Sequence, residues 1–243
     1  MQPVHPAGTP LARPVTSHQV VSGFAGVRPL VSPGKSRDTK KLARDHEIEF
    51  DARGGLISIL GGKWTTYRAM AEDTIDAVQK YLGKAVTPSP TRDHALAGSD
   101  GYTADFWRII LTEERGIAAE TARHLAEKYG TASRRIADLM QEDSKLAAPI
   151  LDGLPPIRAE IAWAARHEMA MTIEDVLARR IGLQFFSWRS AAHAAPVVAS
   201  ILAKELGWDS AAENGAVTKY TGKINRWMAQ AGLAPKPGVT PTN

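Results

Sequence analysis

Between His46 and Gly62 apolar and polar residues alternate. In "HEIEFDARGGLISILGG" Ile48 and Phe50 stand between charged residues, Arg53-Gly54-Gly55 interrupts the run, and Leu56 to Leu60 resumes it. A period of two, broken by glycines, predicts a β-hairpin, because successive strand side chains point to opposite faces. After Gly62 the period lengthens. Tyr67, Met70, Ala71, Thr74, Ile75 and Val78 recur three and four residues apart, and Gly83 follows Tyr81-Leu82 as a stop signal. That spacing places the apolar residues on one face of a helix. Upstream, "VVSGFAGVRPLV" (Val20 to Val31) reads as strand or extended chain interrupted by Gly23 and Gly26, and "SPGKSRDTKKLARD" reads as a polar loop.

Beyond "KAVTPSPTRDHALAGSDG" (Lys84 to Gly101), with its two prolines and several turn signals, the pattern is helical only. Thr103 is placed to cap a short helix through Ile110. Further helices are predicted over 118–129, from Thr131 to about Gln141, and after Pro155-Pro156, where proline's missing N–H is harmless in the first turn. Ile157, Ile161, Ala164 and Ala165 form the apolar stripe of that last helix. Thr172 with Asp175 three residues on approximates a capping box. Two longer helices are expected over 188–206 and 215–231. No internal repeat is evident.

Composition narrows the class. The 243 residues are 44% hydrophobic and 23% charged, which is ordinary for a globular chain. Cysteine is absent, which excludes disulfides, thiolate metal sites and a cysteine nucleophile and accords with a reducing compartment. No apolar run approaches the roughly 18 residues of a membrane span, and the proline-containing start "MQPVHPAGTPLARPVTSHQ" lacks the apolar core of a signal peptide. The net charge is +4. Residues 1–68 hold ten Lys/Arg against five Asp/Glu, so the whole excess lies there. A local basic excess attracts phosphate, nucleic acid or an anionic membrane surface. Lys/Arg runs never exceed two and aromatics are 7%, so no nucleic-acid partner is expected.

The strand–Gly-Gly–helix step at 61–68 holds the most chemistry. The first amides of a helix lack intrahelical partners and carry partial positive charge. Gly61 and Gly62 let an acceptor approach the backbone, Lys63 adds a cation, and Thr65 and Thr66 add hydroxyl donors. Such a turn suits an oxygen-rich, partly anionic ligand edge; it equally suits a plain strand-to-helix connection with a capping threonine. Arg28, in an apolar stretch, and Arg44, beside Asp45, are the next candidates. Two converging guanidinium groups clamp phosphate or carboxylate, and a pairing of Arg44 with Asp45 on a solvated edge is the structural alternative. His167-Glu168 lacks the second histidine of a zinc helix, since Met171 stands at that place. His46, His94 and His193 show no ligand spacing. Arg179-Arg180 suits a helix C-terminus or a bridge to a neighbouring element, and Trp163, Trp188 and Trp208 suit packing.

The strings "SGFAGVRPL", "ARDHEIEF" and "GLISILGGKWTTYRAMAED", in that order, closely resemble FAD-dependent glycerol-3-phosphate dehydrogenases. "EIAWAARHEMAMTIEDVLARRIGLQFF" resembles the helical C-terminal domain of the same enzymes. The resemblance covers roughly residues 19–232. It implies oxidation of sn-glycerol 3-phosphate to dihydroxyacetone phosphate by FAD, with electrons passed to quinone or, in the oxidases, to oxygen. By resemblance Arg28 holds the substrate phosphate and Arg44 is a second arginine of the substrate pocket. Gly61, Gly62, Lys63, Trp64, Thr65 and Thr66 match the turn whose amides meet the flavin's pyrimidine edge.

The family's early strand, G-x-G-x-x-G turn and helix for the FAD pyrophosphate have no counterpart in these residues. The chain therefore reads as a C-terminal portion of the enzyme, with an incomplete FAD site, inactive alone and completed by an N-terminal half on another chain. The alternative is a non-catalytic remnant whose helical domain serves interaction or dimerisation. The expected class is α+β: a disordered lead-in (1–18), a small α/β remnant of a flavin-binding domain with β-hairpin and helix (19–84), a linker (85–100), an all-α C-terminal domain (101–232) and a disordered tail (233–243). The resemblance further implies a cytoplasmic protein, with peripheral contact at the inner face of the plasma membrane and a homodimer as open options.

Overall fold

The computed structural model describes residues 19–26, 45–51 and 53–233. They form two compact units, residues 25–96 and residues 97–233 joined by 19–24. The class is α+β, with one two-stranded antiparallel sheet and helices elsewhere.

In the first unit β1 (His46–Asp51) pairs with β2 (Leu56–Gly61). His46 stands opposite Gly61, Ile48 opposite Ile59 and Phe50 opposite Ile57, so the alternating pattern gathers these residues on one face. The turn is closed by the Gly55 amide donating to the Asp51 carbonyl at 2.9 Å, with Gly55 at φ 67°. A short 3-10 turn, Trp64–Thr66, leads into α1 (Tyr67–Tyr81). Helix and sheet are joined by a polar contact of His46 Nε2 with Asp73 Oδ2 at 2.9 Å and by stacking of Phe50 on Tyr81. Neither packs deeply. No residue of α1 is buried, and Phe50, Leu56, Tyr67 and Ile75 are all exposed. Among the described residues one hairpin and one helix do not enclose a core, and the apolar stripe of the sequence remains half in water.

The second unit is helical. It contains a π-helical turn at Trp107–Glu113, α2 (Ala119–Tyr129), α3 (Ser133–Glu142), α4 (Ala159–His167), a second π-helical turn at Asp175–Arg180, the single turn α5 (Leu183–Phe186), α6 (Trp188–Leu206) and α7 (Ser210–Gln230). Every residue from Ala159 to Ala164 is buried, so α4 serves two cores at once. Ile161 and Ala164 face Val198, Leu202 and Ile224, while Ala162 and Trp163 face Leu111, Leu125 and Ile136.

The helix ends follow local chemistry. Thr172 and Asp175 form the reciprocal capping box, with the Asp175 amide 3.1 Å from Thr172 Oγ1 and the Thr172 amide 3.0 Å from Asp175 Oδ2. A cap of this kind contributes about 1 kcal/mol. Expected helix boundaries are corrected. The helix expected over 103–110 forms at 107–113 with wider hydrogen-bonded turns. The last helix begins at Ser210, five residues early, because Asp209 Oδ1 accepts the Ala212 amide at 2.8 Å and caps it there. The described part of the extended stretch, Val20 to Gly26, joins no strand; Val21 instead accepts the Trp188 amide at 3.0 Å. Residues 19–24, grouped by sequence with the hairpin, thus pack on the helical unit.

Gly98 and Gly130 bring two backbones together. The Thr131 amide donates to the Gly98 carbonyl at 2.8 Å, and a Cβ on Gly130 would lie 2.0 Å from that oxygen. Gly130 also sits at φ 55°, ψ −135°, a region open in practice only to glycine. Among the described residues no helix is long and apolar enough to cross a membrane.

Candidate functional site

The six residues Gly61 to Thr66 form one compact turn between β2 and α1. Gly61 and Gly62 both adopt positive φ, 72° and 81°, which reverses the chain direction as it leaves the sheet. A Cβ on Gly62 would also lie 3.3 Å from His46 Cβ and would overlap the end of Met70. Each glycine therefore has a local reason to be there. Lys63 then stands at the N-cap of the 3-10 turn in extended geometry, and its side chain caps nothing.

That leaves the start of the helical segment without the side-chain acceptor that Ser, Thr, Asp or Asn would bring. Thr66 stands at the N-cap position of α1. Its amide and its hydroxyl both donate to the Lys63 carbonyl at 3.0 Å, so its oxygen stabilises the turn rather than covering the amides ahead of it. Lys63, Trp64 and Thr65 are exposed, and Lys63 has no acidic partner among the described residues. Trp64, 89% exposed, touches Tyr67 at 5.9 Å between ring centroids and belongs to no core. The turn thus presents uncapped amides, one free ammonium group and an open aromatic side chain. This donor set suits a planar ligand edge that carries oxygens and partial negative charge.

The base of the turn is braced from two sides. His46 is held to Asp73, and Arg68 Nη1 reaches Glu72 Oε2 at 2.6 Å and Thr91 Oγ1 at 3.3 Å. Sequence reading missed the His46–Asp73 pair, because partners 27 positions apart on strand and helix share no local pattern. Arg28 and Arg44 lie outside the described residues.

A second polar centre lies inside the helical unit. Glu160 is fully buried on α4. His124 Nε2 stands 3.0 and 3.1 Å from its two oxygens, Lys128 Nζ at 2.8 Å, the Tyr129 hydroxyl at 3.0 Å and the Ile157 amide at 2.8 Å. Burial alone would raise its pKa, yet hydrogen bonding from His124 and the charge of Lys128 hold it below the ordinary 4.5. Burial, reinforced by the Glu160 charge, pushes the Tyr129 phenol well up, so it remains a neutral donor. With every direction occupied by a protein group, this carboxylate pins α2 to α4 and has no room for chemistry. The sequence carried one signal for it: Glu160 occupies the same face as Ile157, Ile161 and Ala164, a charge on an apolar stripe.

Of the remaining expectations, Trp163 and Trp188 are buried and Trp208 packs at the edge of a core. Arg180 bridges to the end of α4, with Nε 3.1 Å from Glu168 Oε2 and a further bond to the Glu168 carbonyl, while Arg179 pairs with Asp175.

Residues 89–213 match the family described as the C-terminal domain of alpha-glycerophosphate oxidase. Glycerol-3-phosphate dehydrogenase 2 of Mycobacterium tuberculosis (strain ATCC 25618 / H37Rv) is 35% identical over 219 residues, covering 88% of this chain and 36% of that protein. The mitochondrial glycerol-3-phosphate dehydrogenase of Homo sapiens is 35% identical over 194 residues, 78% of this chain and 26% of that protein. Among solved structures, glycerol-3-phosphate dehydrogenase from Bacillus halodurans complexed with FAD superimposes with a TM-score of 0.55 at 26% identity, over 81% of this chain and 39% of that one. The chain spans between 26% and 39% of the length of these relatives.

Proposed function

Since the chain belongs to the glycerol-3-phosphate dehydrogenase family and carries the C-terminal domain of alpha-glycerophosphate oxidase, we propose that it serves the FAD-dependent oxidation of sn-glycerol 3-phosphate to dihydroxyacetone phosphate. The observation that carries this reading is the uncapped, lysine-bearing turn Gly61–Thr66, which fits the pyrimidine edge of a flavin. When bound, FAD supplies the acceptor for the two electrons removed from the substrate's secondary alcohol. The amides of Lys63, Trp64 and Thr65 and the Lys63 ammonium group would hold that edge and offset negative charge on it. Arg28 and Arg44 hold the substrate, Arg28 at its phosphate. Residues for the FAD pyrophosphate come from sequence outside these 243 residues, on an N-terminal portion of the enzyme. Quinone as the final acceptor would place the reaction at the inner face of the plasma membrane.

In the assembled enzyme, Arg28→Gln is expected to raise the KM for glycerol 3-phosphate by about tenfold or more, as loss of one charge-assisted phosphate contact implies, with a smaller change in kcat. Steady-state kinetics checks this, and an unchanged KM would remove Arg28 from the substrate site.

A second reading, an interaction or dimerisation module without catalysis, is favoured by one contrast. The helical unit encloses two cores of its own, whereas the hairpin unit buries none of its helix. Under that reading the chain would bind partners normally while glycerol 3-phosphate turnover stayed at zero in every assembly.

A further inference from the structure

The helical unit has a cavity of about 500 Å³ between the α3–α4 connection and α6. Its apolar lining comes from Leu146, Pro196, Val197 and Ile201, and its charged lining from Asp143, Lys145, Arg158, Lys204 and Glu205. The charges are not evenly matched. Asp143 accepts from the Lys145 backbone amide at 3.0 Å and from Lys204 at 3.2 Å, and these contacts, with the charges of Lys204 and Lys145, lower its pKa. Glu205 is committed to a two-pronged contact with Arg166 at 2.6 and 2.8 Å.

Neither carboxylate makes a direct ion pair with Lys145 or Arg158, although the Lys145 charge acts on Asp143. Lys145 and Arg158 remain. Arg158 donates from Nε to the Pro149 carbonyl at 3.3 Å, and neither side chain has a carboxylate partner among the described residues. Two cations without a direct ion pair beside an apolar wall, in an open cleft whose volume is within the usual range for small-ligand sites, form a recognisable combination. A purely apolar ligand would leave the cations unmet, and a bare inorganic anion would leave the apolar wall in water.

We propose that this cavity binds an amphiphilic organic anion: a carboxylate or phosphate head held by Lys145 and Arg158, with a short hydrocarbon body on Leu146, Pro196, Val197 and Ile201. The site shares no residue with the Gly61–Thr66 turn and does not depend on the flavin reading. Arg158 precedes the first residue of α4, and Pro196 interrupts the amide ladder of α6. The ligand would thus bridge two helices that the fold already packs together.

The test is a titration of the full chain, labelled with nitrogen-15 and followed by amide NMR shifts, with four probes: hexanoate, hexyl phosphate, hexanol and inorganic phosphate. Saturable shifts at Lys145, Ser200 and Lys204 are expected for one or both amphiphilic anions, the tighter of the two identifying the head group. Hexanol and inorganic phosphate are expected to bind at least about tenfold more weakly, since each lacks one of the two contacts. The double variant Lys145→Gln, Arg158→Gln is expected to weaken the preferred anion by about tenfold or more while leaving amide shifts elsewhere unchanged, which shows that it still folds. Equal binding of hexanol and hexanoate, unaltered affinity in a folded double variant, or no shift at about 10 mM probe, beyond the millimolar range of weak metabolite binding, would each overturn the proposal.

Discussion

Glu160→Ala is expected to destabilise the helical unit by about 3–5 kcal/mol, the usual cost of deleting one member of a buried ionic network. The reason lies in what stays behind. His124, Lys128, the Tyr129 hydroxyl and the Ile157 amide all donate to this one carboxylate, and its removal strands four donors around a cavity. Glu160→Gln keeps the shape but sets an amide among donors, and should lose less. Urea denaturation followed by helical circular dichroism checks the order: wild type, then glutamine, then alanine. The network also has a pH signature. The folded pKa of Glu160 lies below its unfolded value, so the unfolded chain binds more protons as the medium is acidified. The stability it contributes is complete above its ordinary 4.5 and is lost as pH falls through the depressed folded value. In Glu160→Ala that component of the acid dependence should be missing.

Gly62→Val is expected to abolish flavin retention in the assembled enzyme while sparing the helical unit. The φ of 81° costs a β-branched residue about 1–2 kcal/mol or more, and the added side chain meets His46 Cβ and Met70, at an overpacking cost of about 1–3 kcal/mol. The cheapest relief is for the turn to shift, which moves the Lys63, Trp64 and Thr65 amides off their target. The matched control is Gly215→Ala, in the exposed part of α7 with nothing near its Cβ; it should leave both flavin content and stability unchanged or slightly improved. Flavin absorbance per mole of purified protein measures the flavin content of both variants, and urea denaturation their stability. Full flavin content in Gly62→Val would sever the turn from the cofactor.

Local chemistry explains why some of this was legible in the sequence. The hairpin, α1 and α6 follow from period and punctuation alone: alternation around Arg53-Gly54-Gly55, then a three-and-four repeat after Gly62. The start of α7 was misplaced because Gly215 was read as a boundary, while the true signal was the capping Asp209 six positions earlier. The helix after Pro155-Pro156 starts later than proline rules suggest. Ile157 pairs with Pro149 across an isolated bridge, and its amide is taken by Glu160. The π-helical turns have no local signature in the sequence; each carries a buried leucine, Leu111 in the first and Leu177 in the second. For the candidate site, Gly61 to Thr66 were legible as one turn. Thr66 was legible only as a donor, and its engagement with the Lys63 carbonyl is a matter of geometry that spacing does not encode.

The central claim is that this chain supplies one edge of a flavin site in a glycerol-3-phosphate dehydrogenase. Its most direct test is reconstitution. The chain would be co-expressed with the part of Mycobacterium tuberculosis glycerol-3-phosphate dehydrogenase 2 that lies upstream of the matched region, and each purified alone for comparison. Reduction of an artificial electron-acceptor dye by sn-glycerol 3-phosphate is then recorded. The account predicts a yellow complex that reduces the dye, with neither part active alone. A complex that forms yet stays colourless and inactive, or dye reduction that proceeds equally without this chain, would contradict it.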